Sequence, residues 1–234
     1  MEAKSVEPNA VQSWVVRGWQ LFVKNPGMWI FLTFIGLVVD VILALFPLRL
    51  LGSLALAVIT PALFSGLLYG AAELDNGRGL NVEDLFRGLT DPVKRIPLLK
   101  LGVVTVVAAI PGLIGLWMFK GGVFLTLIGS LIIAALSVAV AVALIYACPL
   151  VMFAGMDPVE AVKNSIDTCR KNIVPMAIFF GGMFFLVVVM AAILPLWPGF
   201  LVLLPVTVCT VYASYKDLYS QPEPISQVEP VRSA

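Results

Sequence analysis

Read as a string of apolar and polar positions, the chain contains six long apolar runs separated by short polar stretches. An α-helix rises about 1.5 Å per residue, so roughly 20 apolar residues cross a hydrocarbon layer about 30 Å thick. Residues 28–46, 51–72, 98–119, 131–153, 174–194 and 197–215 meet that length and predict six membrane-spanning helices. The apolar stretch 121–130 either extends the fourth of these with tilt or lies in the interface. The connections at 47–50 and at Pro195 and Leu196 are tight, which leaves no room for a domain on that side.

Three further stretches carry a different period. Residues 11–24 read VQSWVVRGWQLFVK, with Val11, Trp14, Val15, Gly18, Trp19 and Phe22 on one helical face and Ser13, Arg17, Gln20 and Lys24 opposite. Residues 157–172 read DPVEAVKNSIDTCRKN, with Asp157 and Pro158 suited to a helix start. Val159, Val162, Ile166 and Cys169 form its expected apolar stripe, while Lys163, Asp167, Arg170 and Lys171 form the polar one. Residues 81–89, NVEDLFRGL, predict a shorter version. Helices of this kind, with tryptophan and basic residues, suit a membrane interface. Lys24-Asn25 and Lys171-Asn172 mark the same junction, an amphipathic segment giving way to an apolar run.

The pattern therefore predicts an all-α membrane protein of three hairpin units, about 11–72, 81–153 and 157–215, with flexible tails at 1–10 and 219–234. Each unit is an amphipathic helix, a span, a tight turn and a returning span with a proline, and Pro61, Pro149 and Pro205 are the candidate kinks. A unit that crosses twice restores its own orientation, which argues against the inverted repeats of many transporters.

Composition supports this picture. Apolar residues make up 60% of the chain and charged ones 12%, against about one quarter charged in an ordinary soluble domain. The distribution of basic residues gives the orientation. Of 15 Lys and Arg, only Arg49 and Lys120 fall in the odd-numbered connections, so both termini are expected in the cytoplasm. The first dozen residues lack the pattern of a cleaved signal peptide. No basic tract for nucleic acid is present. Three scattered cysteines and no histidine suggest neither a disulfide framework nor a metal or cofactor site.

Candidate chemistry is sparse. Asp40, in GLVVDVILALF, is the clear acidic residue within a span, and an unpaired carboxylate there is costly. It is expected to be protonated, turned into the bundle, or paired with Lys120 or Arg49. Its two readings are a proton- or cation-responsive site and a structural polar contact between helices. Trp14, Arg17, Trp19, Lys24, Lys163, Arg170 and Lys171 are candidate contacts to lipid headgroups. Gly66 and Gly70 form a small-residue face for close helix packing or a contact between copies. Glu73 and Asp75 read as a solvated loop edge rather than a catalytic pair, and no catalytic residue is assigned.

The segments GWQLFVKNPGMWIF, TPALFSGLLYGAAELDNG, LFRGL, GMDPVEAVKNSIDTCRKNIVPMAIF and PVTVCTVYASYKDLY resemble a family of uncharacterised proteobacterial inner-membrane proteins with six helices. More distantly they are similar to YciC-type membrane proteins and to the membrane domain attached to some glycerophosphoryl diester phosphodiesterases. The resemblance implies a bacterial inner-membrane location. The phosphodiesterase catalytic domain has no counterpart here, and no nucleophile–base pair, phosphate loop or metal cluster is visible in the sequence, so the chain is expected to be no enzyme. The expected role is non-enzymatic association with membrane lipids or an envelope protein, with a second copy or a soluble cytoplasmic protein as possible partners. The alternative is a small-solute or lipid transporter with Asp40 in an intramembrane cavity.

Overall fold

The computed structural model describes residues 2–45, 49–193 and 198–220. Within them the chain is all-helical, with no strand. Its elements are α1 (Ala10–Lys24), α2 (Pro26–Ala44), α3 (Arg49–Asp75), α4 (Val82–Leu85), α5 (Arg87–Thr90) and α6 (Arg95–Met118). They continue with α7 (Val123–Leu144), α8 (Ala147–Ala154), α9 (Pro158–Lys171), α10 (Ile173–Ala192) and α11 (Phe200–Tyr219). Six helices are long and apolar enough to cross a membrane, with α7 and α8 together forming one of them. The two tight connections expected at 47–50 and at Pro195 and Leu196 lie largely outside the described residues, as do the start of the sixth expected span at Trp197 and the tail beyond Ser220.

Several boundaries differ from the expectation for identifiable reasons. The apolar stretch 121–130 continues into α7, which begins at Val123 after Gly122 takes the left-handed φ of +86°. The stretch 81–89 forms two single turns instead of one helix. Asp84 turns back on the first of them, where its Oδ2 accepts the Asn81 N–H at 2.8 Å. The segment before α1, expected as a free tail, is bonded to the body: the Lys4 N–H donates to Leu218 O at 2.9 Å.

The core gathers at one end of the bundle. α11 buries 12 of its 20 residues there, most of them from Val208 to Tyr219. α1 runs antiparallel along this half of α11, so that Trp14 meets Asp217 and Gly18 meets Thr210. Trp14, Trp29, Tyr146, Leu98 and Leu150 are fully buried around it. The other ends of α2, α6, α7 and α10 are mostly exposed apolar surface, as Phe184 at 69% and Ile110 at 63% illustrate.

Small residues set the close approaches. A Cβ on Gly66 would lie 2.1 Å from Leu85 O, and one on Gly88 would lie 2.2 Å from Ala62 O. The Gly66–Gly70 face of α3 is thus filled by Leu80 and α4 from the same chain, with α5 against Ala62 one turn away. Gly102 brings α6 against Val58 O, where an added Cβ would stand 2.4 Å away.

The prolines behave in three ways. Pro61 cannot donate to Ala57 O, and the helix continues because Thr105 Oγ1, from α6, lies 2.6 Å from that carbonyl. Pro149 coincides with a true break: α7 ends at Leu144 and α8 starts at Ala147. Ser165 of α9 enters the gap, where its hydroxyl donates to Val142 O at 2.7 Å and accepts the Tyr146 N–H at 3.2 Å. Pro205 sits within α11 without interrupting it.

The α1–α11 contact offers a direct check. A Cβ on Gly18 would stand 2.7 Å from Thr210 N, which is backbone and cannot swing away. Gly18→Val should cost about 1–3 kcal/mol through overpacking and lower the thermal midpoint in detergent. Gly181→Val, on α10 with open space around it, should leave that midpoint unchanged.

Candidate functional site

The packed end carries a network of buried polar groups, built from three elements that meet at the C-terminal turns of α11. Asn172 is 1% exposed and sits at the boundary between α9 and α10. Its Oδ1 accepts the Val6 N–H at 2.9 Å, and its Nδ2 donates to Lys4 O at 3.2 Å and Thr168 O at 3.1 Å. One amide thereby fixes the leading segment to the end of α9. Thr168 Oγ1 lies 2.7 Å from Tyr219 Oη, which donates to Asn164 Oδ1 at 2.6 Å. Trp14 Nε1 donates to Asp217 Oδ2 at 2.8 Å, and Lys4 Nζ pairs with Asp217 Oδ1 at 2.9 Å. Tyr146, on the α7–α8 break, donates to Ser214 Oγ at 3.2 Å.

The candidate headgroup residues divide by position. Trp14 is 1% exposed and serves the α1–α11 contact, not the surface. Its neighbours split α1 into three faces, one buried (Val11, Trp14, Gly18, Leu21, Phe22), one exposed and apolar (Val15, Val16, Trp19, Val23), and one polar with Ser13, Arg17, Gln20 and Lys24. Trp19 is 50% exposed and stacks obliquely on Phe22. Lys24 Nζ donates to Leu74 O at 3.0 Å, satisfying a carbonyl in the last turn of α3 where a cation also favours the helix dipole. Lys171 Nζ pairs with Glu2 at 2.5 Å and holds that carboxyl below its ordinary acidity range. Arg17, Lys163 and Arg170 are exposed and have no hydrogen-bond or ion-pair partner among the described residues.

α9 buries Pro158, Ala161, Ser165, Thr168 and Cys169 in place of the full expected stripe, and Val159 is left 63% exposed. Ser165 and Thr168 are among those buried residues and were not singled out by the sequence pattern. Their signal was position, because both lie among apolar residues on the inward side of a short helix. Burial pushes the Cys169 thiol up to about 12, so it stands here as a neutral buried group.

Asp40 is exposed on α2 and lies at the edge of an apolar cavity of about 280 Å³ between α2, α3 and α11. Thr33, Thr60 and Thr207 supply its other polar groups, while Leu37, Leu63 and Leu204 are among its apolar walls. A second apolar cavity of about 300 Å³ adjoins it across Thr60, Phe64 and Thr207 and reaches Phe179 and Met183 of α10. Lys120 does not pair with Asp40, and the Arg49 side chain lies outside the described residues. Among the described residues no group of three or more Cys, Asp or Glu is placed to hold a metal ion.

The clamp formed by Asn172 should be measurable. Asn172→Ala removes three hydrogen bonds at once and leaves the half-buried Val6 N–H without its acceptor, a loss of about 1–3 kcal/mol. Backbone hydrogen exchange at Lys4 and Val6 should accelerate markedly, while Asn25→Ala should leave that segment protected because Asn25 caps only the start of α2.

Compared with family models, with curated proteins and with solved structures, the chain finds no match.

Proposed function

We propose that this chain is a non-enzymatic multi-pass protein of the bacterial inner membrane that associates with lipid through its packed, basic end. The observation that carries this reading is the exposed apolar face of α1, Val15, Val16, Trp19 and Val23, beside a polar face with Arg17 and Lys24. Such a combination suits the headgroup boundary, where an indole and a cationic rim are both favourable. The long exposed apolar flanks of the six helices are what a chain surrounded by acyl chains presents.

The basic residues then face the cytoplasm, with both termini, because the opposite connections carry only Arg49 and Lys120. The order of elements supports the three-unit reading: α1, the α4–α5 pair and α9 each precede an apolar helix, and α3, α8 and α11 each bring a proline on the return. On this reading Lys163 and Arg170, without a hydrogen-bond or ion-pair partner among the described residues, attract anionic lipid at about 1 kcal/mol per cation near the surface. The double substitution Lys163→Glu with Arg170→Glu should reduce anionic phospholipid retained after purification several-fold relative to zwitterionic phospholipid. Retention equal to that of the unaltered chain in mass spectrometry would count against the reading.

A second reading is favoured by one observation, the cavity at Asp40. Its walls are mostly apolar, which suits an acyl chain better than a polar solute. A lipid-moving protein would place Asp40 beside the headgroup end of such a chain. Asp40→Asn should then slow lipid exchange between leaflets in proteoliposomes at least several-fold; an unchanged rate removes this alternative.

A further inference from the structure

We infer that a cleft between α1, α11 and the end of α3 is a binding site for a phosphate monoester. The cleft has a volume of about 300 Å³. Arg17, Gln20 and Lys24 line it from α1, Asp75 from α3, and Tyr212 and Lys216 from α11. It is separate from the cavity at Asp40 and from the Asn172 network.

The charges within it are organised rather than merely close. Lys216 Nζ pairs with Asp75 Oδ2 at 2.5 Å, and the Tyr212 hydroxyl donates to the same oxygen at 3.2 Å. Lys216 also lies 5.9 Å from the centre of the Tyr212 ring. These contacts hold the Lys216 ammonium in place while leaving it donors to spare, since an ammonium has three. Lys24 likewise uses one donor on Leu74 O. Arg17 has no protein hydrogen-bond or ion-pair partner among the described residues, so its whole planar fork is free.

Among the lining residues three cations stand against one carboxylate, a formal charge of +2, and Asp217, which also feels Arg17, is already bonded to Lys4 and Trp14. The dianion of a phosphate monoester matches that charge, and a guanidinium binds its oxygens in a bidentate manner that a lysine cannot. Gln20 adds a neutral amide donor at the rim. The remaining volume accommodates the group esterified to the phosphate. That group can belong to a lipid, as in phosphatidic acid, or to a soluble molecule, as in glycerol 3-phosphate. The lipid source rests on the association proposed above, whereas the soluble source stands without it.

The test uses the full chain in nanodiscs. In one arm, the discs contain phosphatidylcholine only and glycerol 3-phosphate is titrated calorimetrically. In the other, phosphatidic acid is added to the discs and bound lipid is counted by native mass spectrometry, with phosphatidylglycerol as a diester control. Binding is expected in at least one arm, with preference for the monoester, and the arm that responds identifies the source. Losing a charge-assisted bidentate contact in Arg17→Gln should weaken it about tenfold or more. Lys216→Gln should weaken it as well, and an unchanged thermal midpoint for Arg17→Gln shows that the fold is intact. Lys163→Gln with Arg170→Gln should leave monoester affinity unchanged, which separates this site from general attraction to anionic lipid. No binding in either arm, equal affinity for the diester, or equal affinity in Arg17→Gln overturns the proposal.

Discussion

Buried polar groups on α9 and α11 have no access to water, and each must find a partner within the protein. This constraint arranges the packed end of the molecule. Thr168, Asn164 and Tyr219 satisfy one another between α9 and α11, while Asn172 reaches past them to the backbone of the leading segment. An unsatisfied buried donor or acceptor costs about 1–3 kcal/mol, comparable with a large fraction of a domain's net stability. The chain therefore cannot leave residues 2–6 free without exposing the amide of Asn172 to an empty site. A segment that looks like a tail on composition is thereby drawn into the fold.

The same rule explains how the prolines are tolerated. Each removes a donor from a helix whose neighbours are apolar, so the freed carbonyl needs help from another element. At Pro61 the help is a threonine that reaches across only because Gly102 lets α6 approach the backbone of α3. Near Pro149 the helix is interrupted between Leu144 and Ala147, and the hydroxyl of Ser165 joins Val142 O to the Tyr146 N–H across that break. At Pro61 and at the α7–α8 break a hydroxyl from a neighbouring helix takes part, while α11 continues through Pro205. Pro61, Pro149 and Pro205 thus read alike in the sequence and differ in the structure.

Much of the architecture was legible because apolar runs of about 20 residues admit few alternatives. Six long helices and most of their approximate limits followed from period, and the start of α9 from Asp157 and Pro158. What period could not convey was which neighbour each face would meet. Asn25 and Asn172 occupy equivalent junctions, yet Asn25 accepts only the Met28 N–H and caps α2, whereas Asn172 holds three backbone groups. Trp14 and Trp19 share the apolar face expected for α1, but the width of that face exceeds what α11 covers. Trp14 is enclosed and Trp19 is left outside. Lys216 and Asp75 are 141 residues apart, so no local pattern could have joined them.

The contrast between the two ends of the bundle follows from the same distribution of small and polar residues. Gly18, Gly66, Gly88 and Gly102 bring backbones together, and three of the four act near the packed end or on α4 and α5. Farther along the helices, Gly36, Gly181 and Gly182 face open space, and the apolar side chains around them have no protein neighbour to fill it. The two cavities beside Thr60 and Phe64 are gaps of this kind between α2, α3, α10 and α11, whereas Gly115 and Gly129 keep α6 and α7 in close backbone contact. In water such a gap would collapse under the hydrophobic effect. In a bilayer the lipid tails are as apolar as the side chains, so little drives closure. Asp40 therefore stands where the protein's own packing gives way to its solvent, and its surroundings depend as much on the lipid beside α2 as on the chain itself.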